Sequence, residues 1–230
     1  MHIAHSGVAL RGRYLLLRTV FRWHSPSTRR RVRKECVVSA IPATDPLTQP
    51  HPRLLSLGCG RDVRVGWVNL DIAPLPGIDV VHDLNVIPMP FKDGSFDYIE
   101  CIDILEHMRE MPEVMGEIHR ILAPGGRVHI EGPHFTSVNW VTDPTHRRAF
   151  GISTFEFFTK RSFLNRGYYF DFAFAVVDKR QIRFQRVLSQ PWNWLVEALV
   201  NKDPRLQRYY EHTFLARLFP AQRVEVILIK

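Results

Sequence analysis

The chain has little cysteine: Cys36, Cys59 and Cys101 are the only three in 230 residues. An odd, sparse set of this kind excludes a disulfide scaffold. No apolar run approaches 18 residues, so no transmembrane helix is expected. The 11 histidines show neither H-x-x-x-H nor Cys/His ligand spacing, and no metal site is expected from them. Acidic residues are missing from the first 34 positions, which hold nine Lys/Arg. Apolar residues make up 45% of the chain, which excludes wholesale disorder, and the length suits one domain of ordinary size.

The net charge of +8 is unevenly spread. Residues 35–146 carry a net −9 and residues 147–230 a net +8. The acidic centre weakens the nucleic-acid reading that the overall charge invites. The arm at 1–34 ends in Arg29-Arg30-Arg31-Val32-Arg33-Lys34. It fits a mitochondrial targeting segment, an arm for anionic surfaces, a poorly ordered extension, or a start codon set too early. Its apolar run is too short for a secretory signal, and with the sparse cysteines this leads us to expect a cytoplasmic protein. Four prolines between residues 40 and 53 mark a linker. The division expected is therefore a basic arm and linker at 1–52 and one domain at 53–230.

From residue 53 the pattern alternates. Short apolar strands are expected at 53–57, 68–72, 79–84, 96–101 and 127–132, with a helix from Met111 to Leu122 that Pro124-Gly125-Gly126 stops. Short strands joined by crossovers predict a parallel α/β sheet. Three strand ends carry groups that suit a nucleoside. Gly58-Cys59-Gly60 lets the backbone approach a ligand, Asp71 is set to accept from ribose hydroxyls, and Asp83 can lie beside an adenine edge. Singly, each also fits a bland role: a tight turn, a loop cap, an Asx turn before Asn85. Together they point into one crevice outside the carboxyl ends of the strands.

These segments resemble the class I S-adenosylmethionine-dependent methyltransferases, within them the type-11 domain. The resemblance lies in Leu55-Ser56-Leu57-Gly58-Cys59-Gly60, in Asp83-Leu84-Asn85 through Asp93-Gly94-Ser95-Phe96-Asp97, in Leu105-Glu106-His107, and in Ile118-His119-Arg120-Ile121-Leu122-Ala123-Pro124-Gly125-Gly126-Arg127. It is strong over 53–133 and weaker to Arg223–Lys230, which resembles the last antiparallel strand. It implies a Rossmann-like class I methyltransferase fold: a mostly parallel sheet, an antiparallel C-terminal strand and a helical insertion at 190–219 before it. It implies S-adenosylmethionine as cofactor, bound by Gly58, Cys59, Gly60, Asp71, Ile72, Asp83, Leu84, Cys101 and Ile102. The chain departs from the pattern in its short links. Gly58 to Asp71 is thirteen residues and Asp71 to Asp83 twelve, so the first two crossover helices are expected to be lost or vestigial. The missing third glycine and the acid after the third strand count against a nicotinamide dehydrogenase.

The acceptor side is expected after the fifth strand. His146 or His134 is a candidate base, with Asp143 to orient the imidazole. The alternative is that Asp143 and His146 only tie down a loop around Pro144. Further on, a helix is expected at Ser153–Asn165, ended by Gly167, and an aromatic strand at Tyr168–Val177. The activity implied is methyl transfer to an oxygen or nitrogen nucleophile of a small molecule, lipid or glycan. A nucleic-acid methyltransferase and a non-catalytic nucleoside-binding module are the competing readings.

Overall fold

A computed structural model describes residues 53–160, 164 and 168–230. The expected arm and linker at 1–52, with Cys36, lie outside the described residues. Seven strands form one sheet: β1 (Leu54–Leu57), β2 (Val68–Asp71), β3 (Val80–Val81), β4 (Phe96–Ile102), β5 (Leu122–Pro133), β6 (Val176–Arg183) and β7 (Arg223–Ile229). Their order is β3-β2-β1-β4-β5-β7-β6. All pairs from β3 to β5 are parallel, and β7 runs antiparallel to both of its neighbours. The order reverses between β1 and β4, where an open α/β sheet forms its ligand crevice.

Helix α1 (Met111–Ile121) covers one face of the sheet. Pro112 sits in its first turn, where the missing N–H costs nothing. Val114, Met115, Ile118 and Ile121 are buried on one side of it, with Ile99, Val128 and Ile130 of the sheet in the same core. Burying side chains of this kind contributes roughly 1.5–3 kcal/mol each.

The opposite face carries charge. Glu100 on β4 and His129 on β5 are register partners, as are Glu131 on β5 and Glu225 on β7. His129 Nδ1 is 3.2 Å from Glu100, and its Nε2 is 3.4 Å from Glu131 and 3.5 Å from Glu225. Arg64 pairs with Glu100, while Lys179 and Arg183 pair with Glu225. The carboxylates hold His129 in its charged form, chiefly through the Glu100 hydrogen bond and then Glu131, and raise its pKa to about 9.

No helix joins β1 to β2 or β2 to β3 among the described residues. Asn69, buried on β2, makes both short links possible. Its Oδ1 accepts from Arg64 N (2.9 Å), and its Nδ2 donates to the carbonyls of Arg64 and Trp67 (3.0 and 3.2 Å). Nδ2 also donates to Asp79 (3.1 Å), whose carboxylate accepts from Asn69 N (2.7 Å). One side chain thus satisfies polar groups of both loops that a helix would otherwise have paired.

Two expected elements differ. The helix expected at Ser153–Asn165 is a 3-10 turn at Thr154–Phe158; residues 161–163 and 165–167, including Gly167, lie outside the described residues. The strand expected at Tyr168–Val177 begins only at Val176. Its alternating Phe170, Phe172 and Phe174 form an aromatic layer with Phe158 instead. Phe172 lies over Gly116 of α1, where a Cβ would come within 3.1 Å of the ring. Alternation therefore marks ring packing here, not a ladder.

The insertion is helical as expected: α3 (Asn193–Val200), α4 (Pro204–His212) and α5 (Leu215–Leu218) precede β7. Asp203 caps α4 by accepting from Arg205 N, and Pro204 occupies its first turn. Tyr210 and Ala216 are buried beneath these helices, while Trp194 and Phe214 are exposed.

Candidate active site

A cleft of about 300 Å³ opens at the C-terminal ends of β1 and β2. Gly58, Asp71, Ile72, Asp83 and Leu84 line it, together with Ile104, His107 and Met108 from the segment after β4. Gly58 and Gly60 adopt left-handed φ values of 64° and 54°, which glycine takes without cost. Asp71 ends β2 almost fully buried. Its Oδ2 accepts from Gly60 N and its Oδ1 from Ala73 N, each at 2.8 Å. Each oxygen keeps one further lone pair. Asp83 makes the Asx turn: its Oδ1 accepts from the backbone and side-chain N–H groups of Asn85, both at 2.9 Å. The Asn85 backbone N–H, above all, holds the Asp83 carboxyl below the usual carboxylate range. Asn85 in turn accepts from Arg109 N (2.8 Å), which fixes the rim.

A second cleft, about 810 Å³, adjoins the first. His107 lines both. It closes the 3-10 turn Leu105–His107, which also carries Glu106. Across the cleft, α2 (Val138–Thr142) and the loop after it carry Asp143, Thr145 and His146. Arg147 N donates to the Glu106 carbonyl (2.9 Å), and Arg148 donates to the carbonyls of Met108 and Arg109. These bonds staple the loop to the turn, so Glu106 and His146 meet although forty residues separate them.

The hydrogen-bond network assigns the imidazole protons. Thr145 donates its hydroxyl hydrogen to Asp143 Oδ1 (2.6 Å), so its oxygen accepts from Nδ1–H of His107 (2.9 Å). His146 donates Nδ1–H to the Trp140 carbonyl (3.2 Å), its ring stacked on the indole. Both Nε2 atoms keep a lone pair. His146 Nε2 is 3.9 Å from Glu106 Oε1 and 3.8 Å from Asp143 Oδ2. Glu106 is fully buried, and neither carboxylate oxygen has a hydrogen-bond partner among the described residues. Burial pushes its carboxyl up to about 7.

The structure brings Gly58, Asp71, Ile72, Asp83 and Leu84 together, with Cys59 and Gly60 on the loop between β1 and β2. It brings Asp143 and His146 together in the neighbouring cleft. Cys101 and Ile102 line neither cleft. Cys101 is fully buried in the core, and burial pushes its thiol pKa far up. His134 is also fully buried. Its Nδ1 accepts from Thr136 N (3.2 Å), which leaves Nε2–H to donate to Glu211 of α4 (3.1 Å). With both ring nitrogens engaged inside the protein, it has no face for a substrate. Ile104, His107 and Met108 are lining residues that the strand-end reasoning missed. Glu106 and His107 enter the sequence reading only through the resemblance, and no sequence signal pairs them with His146.

The chain matches the methyltransferase domain family over residues 28–222. It belongs to the class I S-adenosylmethionine-dependent methyltransferases. The chain is 30% identical over 153 residues to a 24-methylenesterol C-methyltransferase 2 of Oryza sativa subsp. japonica, 55% of this chain and 37% of that protein. It is 35% identical over 57 residues to a demethylmenaquinone methyltransferase of Lysinibacillus sphaericus, 25% of this chain and 24% of that one. The chain thus spans less than two fifths of the length of these curated relatives. Its fold is similar to the crystal structure of a SAM-dependent methyltransferase from Archaeoglobus fulgidus. That likeness has a TM-score of 0.50 and 20% identity, and it covers 77% of this chain and 86% of that one.

The family's cofactor is S-adenosylmethionine, and the cleft of this chain fits it. The space before Gly60 is open, with nothing within 4 Å of where a Cβ would stand. Asp71 has lone pairs left for a diol. Ile72, 64% exposed, offers an apolar face to a base. The Leu84 backbone N–H makes no hydrogen bond among the described residues and is available to a ring nitrogen.

Proposed function

We propose that the protein transfers a methyl group from S-adenosylmethionine to an oxygen or nitrogen nucleophile of a small-molecule, lipid or glycan acceptor. The observation that carries this reading is the sharing of His107 by the two clefts. A ligand at the strand ends and an acceptor in the larger cleft would meet at that residue. Once bound, the cofactor supplies an activated methyl group. The chain's own residues bind and orient. Gly58 and Gly60 let the backbone approach the methionine part. Asp71 accepts from the ribose hydroxyls, Asp83 and the Leu84 N–H face the adenine edge, and Ile72 packs on its plane. In the larger cleft, the lone pairs of Glu106 and His146, with Asp143 beside them, favour the nucleophile's deprotonated form, whether they take its proton themselves or hold a cation that lowers its pKa. Alignment of nucleophile and methyl in a fixed geometry lowers the barrier without any covalent intermediate on the protein. The sparse cysteines support the cytoplasm as its compartment.

Calorimetric titration with S-adenosylhomocysteine tests the reading. The parent is expected to bind at micromolar strength, and Asp71→Ala to bind more than about tenfold more weakly, a loss of about 1.4 kcal/mol or more. No binding by the parent would overturn the proposed function and leave the fold assignment standing.

A further inference from the structure

Glu106, His107 and His146 each present one ligand atom within 4.8 Å of the others. The network above leaves Nε2 of both imidazoles as an acceptor. Both imidazoles use Nδ1–H on the protein, and both oxygens of the fully buried Glu106 lack a partner among the described residues. No Lys or Arg forms an ion pair with Glu106 among the described residues. A buried carboxylate left this way is costly, and a set of lone pairs without a donor calls for a positive centre. The supports match those of metal-binding histidines, whose second nitrogen is held by a carbonyl or a hydroxyl–carboxylate relay. The 3.9 Å from His146 Nε2 to Glu106 Oε1 is close to the roughly 3.0–3.4 Å that separates two ligands each about 2.1 Å from one ion.

We propose that Glu106, His107 and His146 bind one divalent first-row transition cation, with open coordination positions facing the acceptor cleft. Two imidazoles and one carboxylate suit zinc, manganese, iron or nickel rather than calcium. The second cluster of this kind, His129 with Glu131 and Glu225, is a different case: Lys179 and Arg183 already occupy Glu225. Given the reading of the larger cleft as the acceptor site, the cation selects acceptors that bring an oxygen to it, either the nucleophile itself or a neighbouring hydroxyl or carbonyl. Coordination there fixes that oxygen beside His107, at the junction with the cofactor cleft.

The test uses the full chain, stripped of metal and titrated with Mn²⁺ and with Zn²⁺ by equilibrium dialysis. S-adenosylhomocysteine affinity is measured on every variant as a check of the fold. The parent is expected to bind one equivalent. Glu106→Gln and His146→Gln are each expected to weaken binding at least about tenfold while S-adenosylhomocysteine affinity stays near the parent's. His129→Gln is expected to leave metal binding unchanged. If Glu106→Gln does not fold, His146→Gln decides alone. Absence of stoichiometric binding by the parent overturns the site, as does binding that His129→Gln removes and His146→Gln does not. Metal binding without S-adenosylhomocysteine binding overturns the methyltransferase reading and keeps the cation site; the reverse result does the opposite.

Discussion

Gly58 and Ile104 approach so closely that a Cβ on residue 58 would lie 2.4 Å from Cγ1 of Ile104. The first strand's turn and the wall supplied by the segment after β4 therefore fit only through a glycine. Gly58→Ala meets two penalties: a left-handed φ of 64° and displacement of a side chain that lines the cleft. The first costs about 1–2 kcal/mol, and the overlap adds to it. Gly60→Ala meets only the first, because nothing lies within 4 Å. We expect Gly58→Ala to lose at least about 2 kcal/mol in urea melts and more than about tenfold in S-adenosylhomocysteine affinity, against about 1 kcal/mol for Gly60→Ala. Equal losses in the two variants would refute the role given to the Ile104 contact.

Asn69 holds both helix-free crossovers. Its replacement by Ala leaves the Arg64 N–H and the carbonyls of Arg64 and Trp67, two half-buried residues, without their side-chain partner. Each half-buried hydrogen bond lost in this way costs about 0.5–1.5 kcal/mol. Asn69→Ala should therefore destabilise the protein by about 1–3 kcal/mol, with faster hydrogen exchange in residues 61–67. A change below about 0.5 kcal/mol, the range of ordinary surface substitutions, would show that the loops hold themselves.

Much of the cleft at the strand ends was legible because strand-end positions follow from local pattern. An apolar run that stops at Gly58, Asp71 or Asp83 places that residue at the carboxyl edge whatever happens elsewhere. The loss of two crossover helices was legible for the same reason, from the thirteen- and twelve-residue spacings. Cys101 lies at the right end of β4, but the pleat turns it into the core, on the face opposite its neighbour Glu100, so a place at the strand end did not make it a lining residue. The run from Phe170 to Phe174 misled because alternation has the same signature in a ladder and in rings packed on a helix. The Glu106–His146 meeting was illegible because it depends on bonds from the Arg147 backbone N–H and the Arg148 guanidinium to carbonyls about forty residues earlier. Asn69 read only as a strand residue, since its four partners are fixed by loops with no regular pattern.

The charged sheet face makes stability depend on pH above neutrality. His129 has a folded pKa of about 9 against about 6.5 in the unfolded chain. A raised pKa contributes stability that is complete below about 6.5 and is lost as pH rises through about 9. Glu100, Glu131 and Glu225 face the ring, while Arg64, Lys179 and Arg183 compete for the same carboxylates. Allowing for that competition and for solvent screening, the loss should be on the order of 1–2 kcal/mol. Urea melts of the parent at pH 6 and pH 9.5, compared with His129→Gln, measure it. The variant should lack this decline; parallel curves would mean that the ring stays neutral in the folded protein.

His146 was the first candidate base and His134 the second, and the structure separates them by what their ring nitrogens face. Those of His134 face Thr136 and Glu211 inside the protein, and Glu211 also accepts from Ile152 N (2.6 Å). The pair therefore pins the insertion helix α4 to the end of β5 and to the segment after the acceptor loop. His134→Ala removes a fully buried ring and strands a buried carboxylate, for a cost of about 3 kcal/mol or more. Part of that cost is the coupling to Glu211. A cycle with Glu211→Ala should return an interaction of about 1–3 kcal/mol. His146 is a different case, because its Nε2 faces the cleft and only its Nδ1 is committed, to the Trp140 carbonyl. His146→Gln should keep most of the stability and the S-adenosylhomocysteine affinity, and lose turnover by about 10²-fold or more with any acceptor that the parent methylates. Once such an acceptor is found, the two readouts exchange places if the assignment is wrong: His134→Ala would spare the fold and lower kcat, and His146→Gln would do the reverse.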